Sequence, residues 1–156
     1  MNVPSRTRPV LYTPAERARR DASPWTVVQG VLAPLQFAVF AVSCVLVVRF
    51  LLTGDGYVAA TVSVVAKTAL LLTIMVTGSI WEKAVFGRWL LAPAFFWEDV
   101  VSFGVIALHL AYLALLLGDA SPRAEMACAL AAYAAYLVNA GQFLRKLRLA
   151  RLEAVA

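Results

Sequence analysis

Three carboxylic acids stand at the ends of apolar segments. Glu82 follows one apolar run, and Glu98 and Asp99 open the next. Ionisable groups in or beside a membrane span are costly to keep there and are functional candidates by default. If the chain is an enzyme, these carboxyl groups are its candidates for acid–base chemistry. Each also has an interfacial interpretation, because tryptophan precedes both Glu82 and Glu98 and favours headgroup depth.

Four amides accompany the acids. Gln29 and Gln36 are seven residues apart and share one stripe of a helix, while Asn139 and Gln142 are three apart near the end of the last apolar run. The acids and amides therefore fall in the same half of every predicted span. This convergence favours a polar pocket open to that end, with the amides as candidate binding groups.

Two basic side chains lie deeper. His109 is eleven residues beyond Glu98, on nearly the same stripe and ~16 Å further along the helix. It is either a hydrogen-bonded packing residue or an axial ligand to the metal of a large flat pigment. Lys67 lies at comparable depth, and its partner could be a carbonyl group, a lipid or an acidic ligand.

A membrane bundle must position these residues. The chain has 156 residues, of which 62% are hydrophobic, against about 45–50% in soluble domains. Four apolar runs, 25–48, 57–80, 95–117 and 123–144, approach the ~20 residues needed to cross a bilayer. We predict an all-α protein whose four-helix transmembrane domain, 25–146, lies between a segment 1–24 and a basic tail 147–156. Thr13, Pro14 and Glu16 predict a short amphipathic helix that ends at about Asp21.

The charge distribution predicts the orientation. Eleven of the fourteen basic residues precede the first apolar run, follow the last one or fall in the 81–93 loop, whereas Arg49 and Arg123 lie on the other side. Cytoplasmic loops are enriched in Lys and Arg, so both termini are predicted to be cytoplasmic. Because these charges flank apolar spans, they do not indicate nucleic-acid binding. No metal-ligand spacing, phosphate loop or dinucleotide fingerprint occurs, so we expect no cofactor and no metal of the protein's own.

Three long strings resemble the 3-vinyl (bacterio)chlorophyllide hydratase family, also called 2-vinyl bacteriochlorophyllide hydratase. They are LYTPAERARRDASPWTVVQGVLAPLQF (11–37), KTALLLTIMVTGSIWEKAVFGRWLLAPAFFWEDV (67–100) and AAYAAYLVNAGQFLRKLRLARL (131–152). The resemblance implies a hydro-lyase of bacteriochlorophyll biosynthesis that converts a ring-A vinyl group to a 1-hydroxyethyl group. It implies a chlorophyllide-type substrate, the bilayer and other enzymes of the pathway as partners, and a bacterial cytoplasmic or intracytoplasmic photosynthetic membrane.

That activity would need a protonated carboxyl group and an acceptor that holds water. We rank Glu98 first as proton donor, Asp99 second and Glu82 third, because the stripe of Glu98 continues to His109. Asp99 would then face a neighbouring helix, toward Asn139 or Gln142.

Basic residues at the rim of the predicted polar pocket, Lys83 and Arg88 among them, would hold the carboxylate of the pigment. Two other classes stay open. One is a pigment-binding or pigment-delivery protein without chemistry that uses His109 as ligand, and the other is a structural membrane subunit.

The predicted topology can be tested by cysteine labelling. Single cysteines introduced at Ser5 and at Ser121 should react with a membrane-impermeant reagent from opposite sides, Ser5 from the cytoplasm. Labelling of the Ser121 position from the cytoplasm alone would contradict the topology.

Overall fold

The computed structural model describes residues 10–155, which form five helices. A short helix α1 (Pro14–Ala22) precedes α2 (Pro24–Thr53), α3 (Tyr57–Phe86), α4 (Phe96–Leu117) and α5 (Pro122–Val155). The last four are long and apolar enough to cross a membrane, so the predicted all-α, four-span architecture is confirmed. Residues 1–9 and 156, which include two of the arginines counted above, lie outside the described residues.

The first helix begins as its sequence predicts. The side chain of Thr13 accepts a hydrogen bond from the amide of Glu16, and the carboxylate of Glu16 accepts one from the amide of Thr13. This reciprocal pair satisfies two amides that a helix start otherwise leaves free. Pro14 occupies the first turn, where its missing N–H costs nothing.

Two spans extend well beyond their apolar runs. Helix α3 continues through Phe86 and ends at Gly87, which has φ 78°, so Glu82 and Lys83 are helical rather than part of a loop. Helix α5 continues to Val155 through a segment rich in Leu, Arg and Lys, which are good helix formers. Hydropathy marks where hydrocarbon ends, whereas α2, α3 and α4 end at the glycines that follow them.

The spans form two helical hairpins. Helix α2 packs mainly on α3 and α4 mainly on α5, with fewer contacts across the α2–α5 and α3–α4 boundaries. Phe40, Val64, Tyr112 and Tyr133 belong to the core shared by both hairpins. We call the end that carries α1, the 87–95 connection and the end of α5 the basic end.

The opposite end contains a buried acid that the sequence analysis did not single out. Glu125 is 2% exposed, and its Oε2 accepts a 2.6 Å hydrogen bond from the hydroxyl of Tyr57. The bond joins the first turn of α3 to the first turn of α5, and therefore one hairpin to the other. Cys44 and Cys128 are free thiols.

The hydrogen bond between Tyr57 and Glu125 leads to a prediction about stability. Tyr57→Phe removes the donor and leaves a buried carboxyl group without that partner, so the protein should lose about 1 kcal/mol of stability. The melting temperature in detergent should fall accordingly. Adding Glu125→Met should recover most of the loss, because the pair is then replaced by apolar groups. An unchanged melting temperature in Tyr57→Phe would show that the bond does not hold the hairpins together.

Candidate active site

Two of the candidate acids meet at the junction of α3 and α4. Glu82 and Asp99 are 5% and 4% exposed, and their carboxyl groups are held near each other because they accept from the consecutive amides of Ala92 and Leu91. Two buried carboxyl groups that lie close together are costly to ionise at the same time, which favours a proton shared between them. The junction therefore has the composition of a proton-sharing acid pair.

The connection between the two helices holds this pair in place. The amide of Leu91 donates to Asp99 Oδ2 at 2.7 Å, and the amide of Ala92 donates to Glu82 Oε2 at 3.1 Å. Leu91 has φ 59°, a left-handed conformation that is rare for a bulky residue and persists only where its surroundings enforce it. The connection thus folds over the acids and supplies one backbone donor to each.

Glu98 points elsewhere, as expected for adjacent residues that diverge by ~100° on a helix. Its Oε2 lies 3.7 Å from Lys146 Nζ on α5, and this ammonium also donates to the carbonyl of Ala94. The third acid is therefore half of an ion pair between α4 and α5. Asp99, by contrast, faces α3 and the 87–95 connection rather than the predicted Asn139 or Gln142.

Asn139 and Gln142 belong to the Glu98 side of the site. Asn139 Nδ2 donates to the backbone carbonyl of Glu98 at 2.9 Å, and its Oδ1 accepts from Ser102 at 3.1 Å. Gln142 Oε1 lies 3.4 Å from the same Nδ2. These bonds fix the first turn of α4 against α5, so Asn139 positions the acids through the backbone.

The other predicted binding residues are not brought to the acids. Gln29 donates to Thr77 Oγ1 at 2.7 Å between α2 and α3, and Gln36 is buried with no partner for its Oε1 among the described residues. Lys83 is exposed and donates to the carbonyl of Gly87, and Arg88 is exposed as well. Within residues 10–155, Lys146 is the cation paired with one of the three acids.

The segment before α1 packs on the end of α3 and the start of α4. The ring of Tyr12 stacks on Phe86 with centroids 5.8 Å apart and also contacts Phe95. Arg19 Nε donates to the carbonyl of Val85, which attaches α1 to the end of α3. Burial raises the pKa of Tyr12 to about 12, although Arg20 acts in the opposite direction, so the ring is neutral at physiological pH.

His109 lies in the core with an unused nitrogen. Its Nδ1 is 2.8 Å from the carbonyl of Val105, and because a carbonyl only accepts, Nδ1 carries the hydrogen. Nε2 then presents a lone pair, and it has no partner among the described residues. A histidine fixed by its own backbone in this tautomer has the arrangement usual for metal ligands.

Comparison with known proteins gives one consistent result. A family model described as 2-vinyl bacteriochlorophyllide hydratase matches residues 12–149, a range that contains all three acids, His109 and Lys146. No solved structure matches the chain significantly.

Two curated relatives carry the same description. The protein of Rhodobacter capsulatus is 67% identical over 150 residues, covering 96% of this chain and 88% of the relative. The protein of Cereibacter sphaeroides is 66% identical over 143 residues, covering 92% and 89%. With identity this high over nearly the whole length, the chain belongs to the 2-vinyl bacteriochlorophyllide hydratase family.

Proposed function

We propose that this chain adds water across the ring-A vinyl group of a chlorophyllide-type pigment and produces a 1-hydroxyethyl group. Both relatives are named for this class of reaction. The observation that carries the proposal is the burial of Glu82 and Asp99 under two consecutive backbone amides, since hydration of an alkene begins with a proton from an acid. The reaction belongs to bacteriochlorophyll biosynthesis.

The acid pair is the proton donor in this proposal. One carboxyl group of the pair protonates the terminal vinyl carbon, and the positive charge on the inner carbon is delocalised over the macrocycle. The pair is left with a negative charge that the amides of Leu91 and Ala92 already face. Backbone donors aimed at developing charge are an effective form of catalytic stabilisation.

Glu98 serves the second step. Its carboxylate, held in the ion pair with Lys146, accepts a hydrogen bond from water and takes a proton as the water oxygen bonds to the cationic carbon. Glu98 then passes this proton through solvent to the deprotonated pair, so that Glu98 is again a carboxylate and the pair again holds the proton it donated. The donor is thus moved from Glu98, the first choice from sequence, to Asp99 and Glu82, while all three acids keep a catalytic role.

The pigment is proposed to bind between the two hairpins. His109 Nε2 would ligate the magnesium of the pigment, and His109 lies ten residues beyond Asp99, ~15 Å along α4. The lengths of the Asp99 and His109 side chains, added to half the width of a tetrapyrrole, are enough to span this distance. Because contacts between hairpins are fewer than within them, separation of the hairpins is the natural opening, with Gln29 and Gln36 on one wall and Asn139 and Gln142 on the other.

The basic end would face the cytoplasm, where Lys83 and Arg88 meet the carboxylate of the pigment. The membrane would be the bacterial cytoplasmic membrane or its intracytoplasmic photosynthetic extension. Other enzymes of pigment synthesis would deliver the vinyl substrate and consume the alcohol.

The unused nitrogen of His109 also favours a second candidate, a pigment carrier without chemistry. Purified protein incubated with chlorophyllide separates the two. An enzyme gives a blue-shifted red absorption band and a product heavier by one water, whereas a carrier returns bound, unchanged pigment.

Replacing the acids one at a time tests their roles. Glu82→Gln and Asp99→Asn should each lower turnover by about 10²–10⁴-fold, the usual contribution of a general acid. Glu98→Gln should also lower hydration but still protonate the vinyl group, so vinyl pigment recovered from heavy water should contain deuterium at its terminal carbon. The pair variants should show neither hydration nor exchange.

Glu125→Gln is the matched control, because it alters a buried glutamate at the opposite end of the bundle. It should keep near-normal turnover. Should both pair variants stay active while Glu98→Gln loses hydration and exchange together, Glu98 is the donor and the assignment above is wrong.

Replacing Lys83 and Arg88 is predicted to have a smaller effect. Lys83→Gln with Arg88→Gln should raise KM at most about fivefold and leave kcat unchanged, because exposed ion pairs are weak. Arg49→Gln with Arg123→Gln, which removes two cations from the opposite end, should change neither constant. Equal KM values in the two double variants would remove Lys83 and Arg88 from the binding site.

A further inference from the structure

A lysine lies unpaired in the middle of the bundle. Lys67 is 0% exposed, and its Nζ has no hydrogen-bond partner among the described residues. It packs against the face of Tyr136, 3.6 Å from the ring centroid. A cation–π contact offsets only part of the cost of an ammonium within a membrane protein. Basic groups retained at such depth ordinarily serve a ligand or a pathway.

The surroundings of Lys67 indicate what this ligand must offer. No carboxylate within residues 10–155 lies within ion-pair distance of Nζ, and a lysine ammonium can only donate. The hydroxyl of Thr68, the next residue of α3, donates to the carbonyl of Val64 and is not within hydrogen-bonding distance of Nζ. The missing partner is therefore an acceptor that residues 10–155 do not supply.

The position of Tyr136 along α5 indicates how far this acceptor lies from the acid pair. Asn139 bonds to the first turn of α4, and Tyr136 is three residues before it on α5, ~4.5 Å further from the acid pair. The ring of Tyr136 extends further the same way, because helical side chains lean toward the helix N-terminus. Lys67 Nζ, above this ring, is thus separated from the acid pair by a distance comparable with the span of a tetrapyrrole ring.

We propose that Lys67 donates a hydrogen bond to the neutral ketone on the edge of the macrocycle opposite the vinyl group. This inference rests on the proposed function, because it places the vinyl edge at Glu82 and Asp99. The ketone is the acceptor on that far edge, whereas the propionate is charged and stays near the cations of the basic end. Lys67 is then a positioning and specificity residue that sets the vinyl carbon against the acid pair and selects ketone-bearing pigments.

The test measures the bound pigment directly. In resonance Raman spectra, the ketone stretch of chlorophyllide bound to the wild-type protein should lie below its value in detergent. Lys67→Met should return it to the detergent value and weaken binding at least about tenfold, as expected for a bond to a charged donor. Arg49→Gln, which removes an exposed cation at the opposite end of the bundle, should leave both readouts unchanged.

A pigment whose ketone is reduced to a methylene group tests the same bond without a variant. It should bind the wild-type protein at least about tenfold more weakly than chlorophyllide, and Lys67→Met should bind the two pigments equally. Hydration with an unshifted ketone stretch would overturn the role of Lys67 while leaving the proposed function intact. A shifted stretch without hydration would overturn the proposed function while leaving the role of Lys67 intact. If esterifying the propionate, rather than removing the ketone, abolishes the effect of Lys67→Met, the partner is the propionate and the inference is wrong.

Discussion

The contact between Glu82 and Asp99 is the interaction on which the basic end depends. Within a bilayer, polar groups must find their partners inside the protein. Two acids that meet at the junction of α3 and α4 find their partners in the 87–95 backbone, which donates from Leu91 and Ala92. Helix packing, loop conformation and protonation are consequently coupled at this point. A change in any one of them alters the other two.

The need for partners inside the protein also explains where the polar residues of the bundle lie. Along α4, the residues buried against other helices include Glu98, Ser102, His109 and Tyr112, a stripe that faces the interior of the bundle. Glu98 and Ser102 have partners within the protein, whereas His109 Nε2, the Tyr112 hydroxyl and, on α3, Lys67 Nζ have none among the described residues. Buried polar groups with hydrogen-bond partners stabilise the fold. The unpaired nitrogens of His109 and Lys67 are the groups to which we assign the pigment.

The sequence predicted the four spans and the half of the bundle where the acids lie, because both follow from hydropathy and helical periodicity. It did not predict which acids meet. That depends on the left-handed backbone of Leu91, which no local pattern specifies. Lys146 was counted among surface charges because it follows the last apolar run, yet the continued helix α5 brings it to Glu98. Glu125 was overlooked because it follows a turn, and only tertiary packing buries it against Tyr57.

One contact ties the two ends of the described chain together. The amide of Leu11 donates to both carboxylate oxygens of Glu153 at 3.1 Å, across 142 residues of sequence. During synthesis this contact can form only after the last helix has emerged and all four spans are in the bilayer. Attachment of the amino-terminal segment to α5 is therefore among the last events of biogenesis, whereas its contacts with Phe86 and Phe95 can form as soon as α3 and the start of α4 are in place.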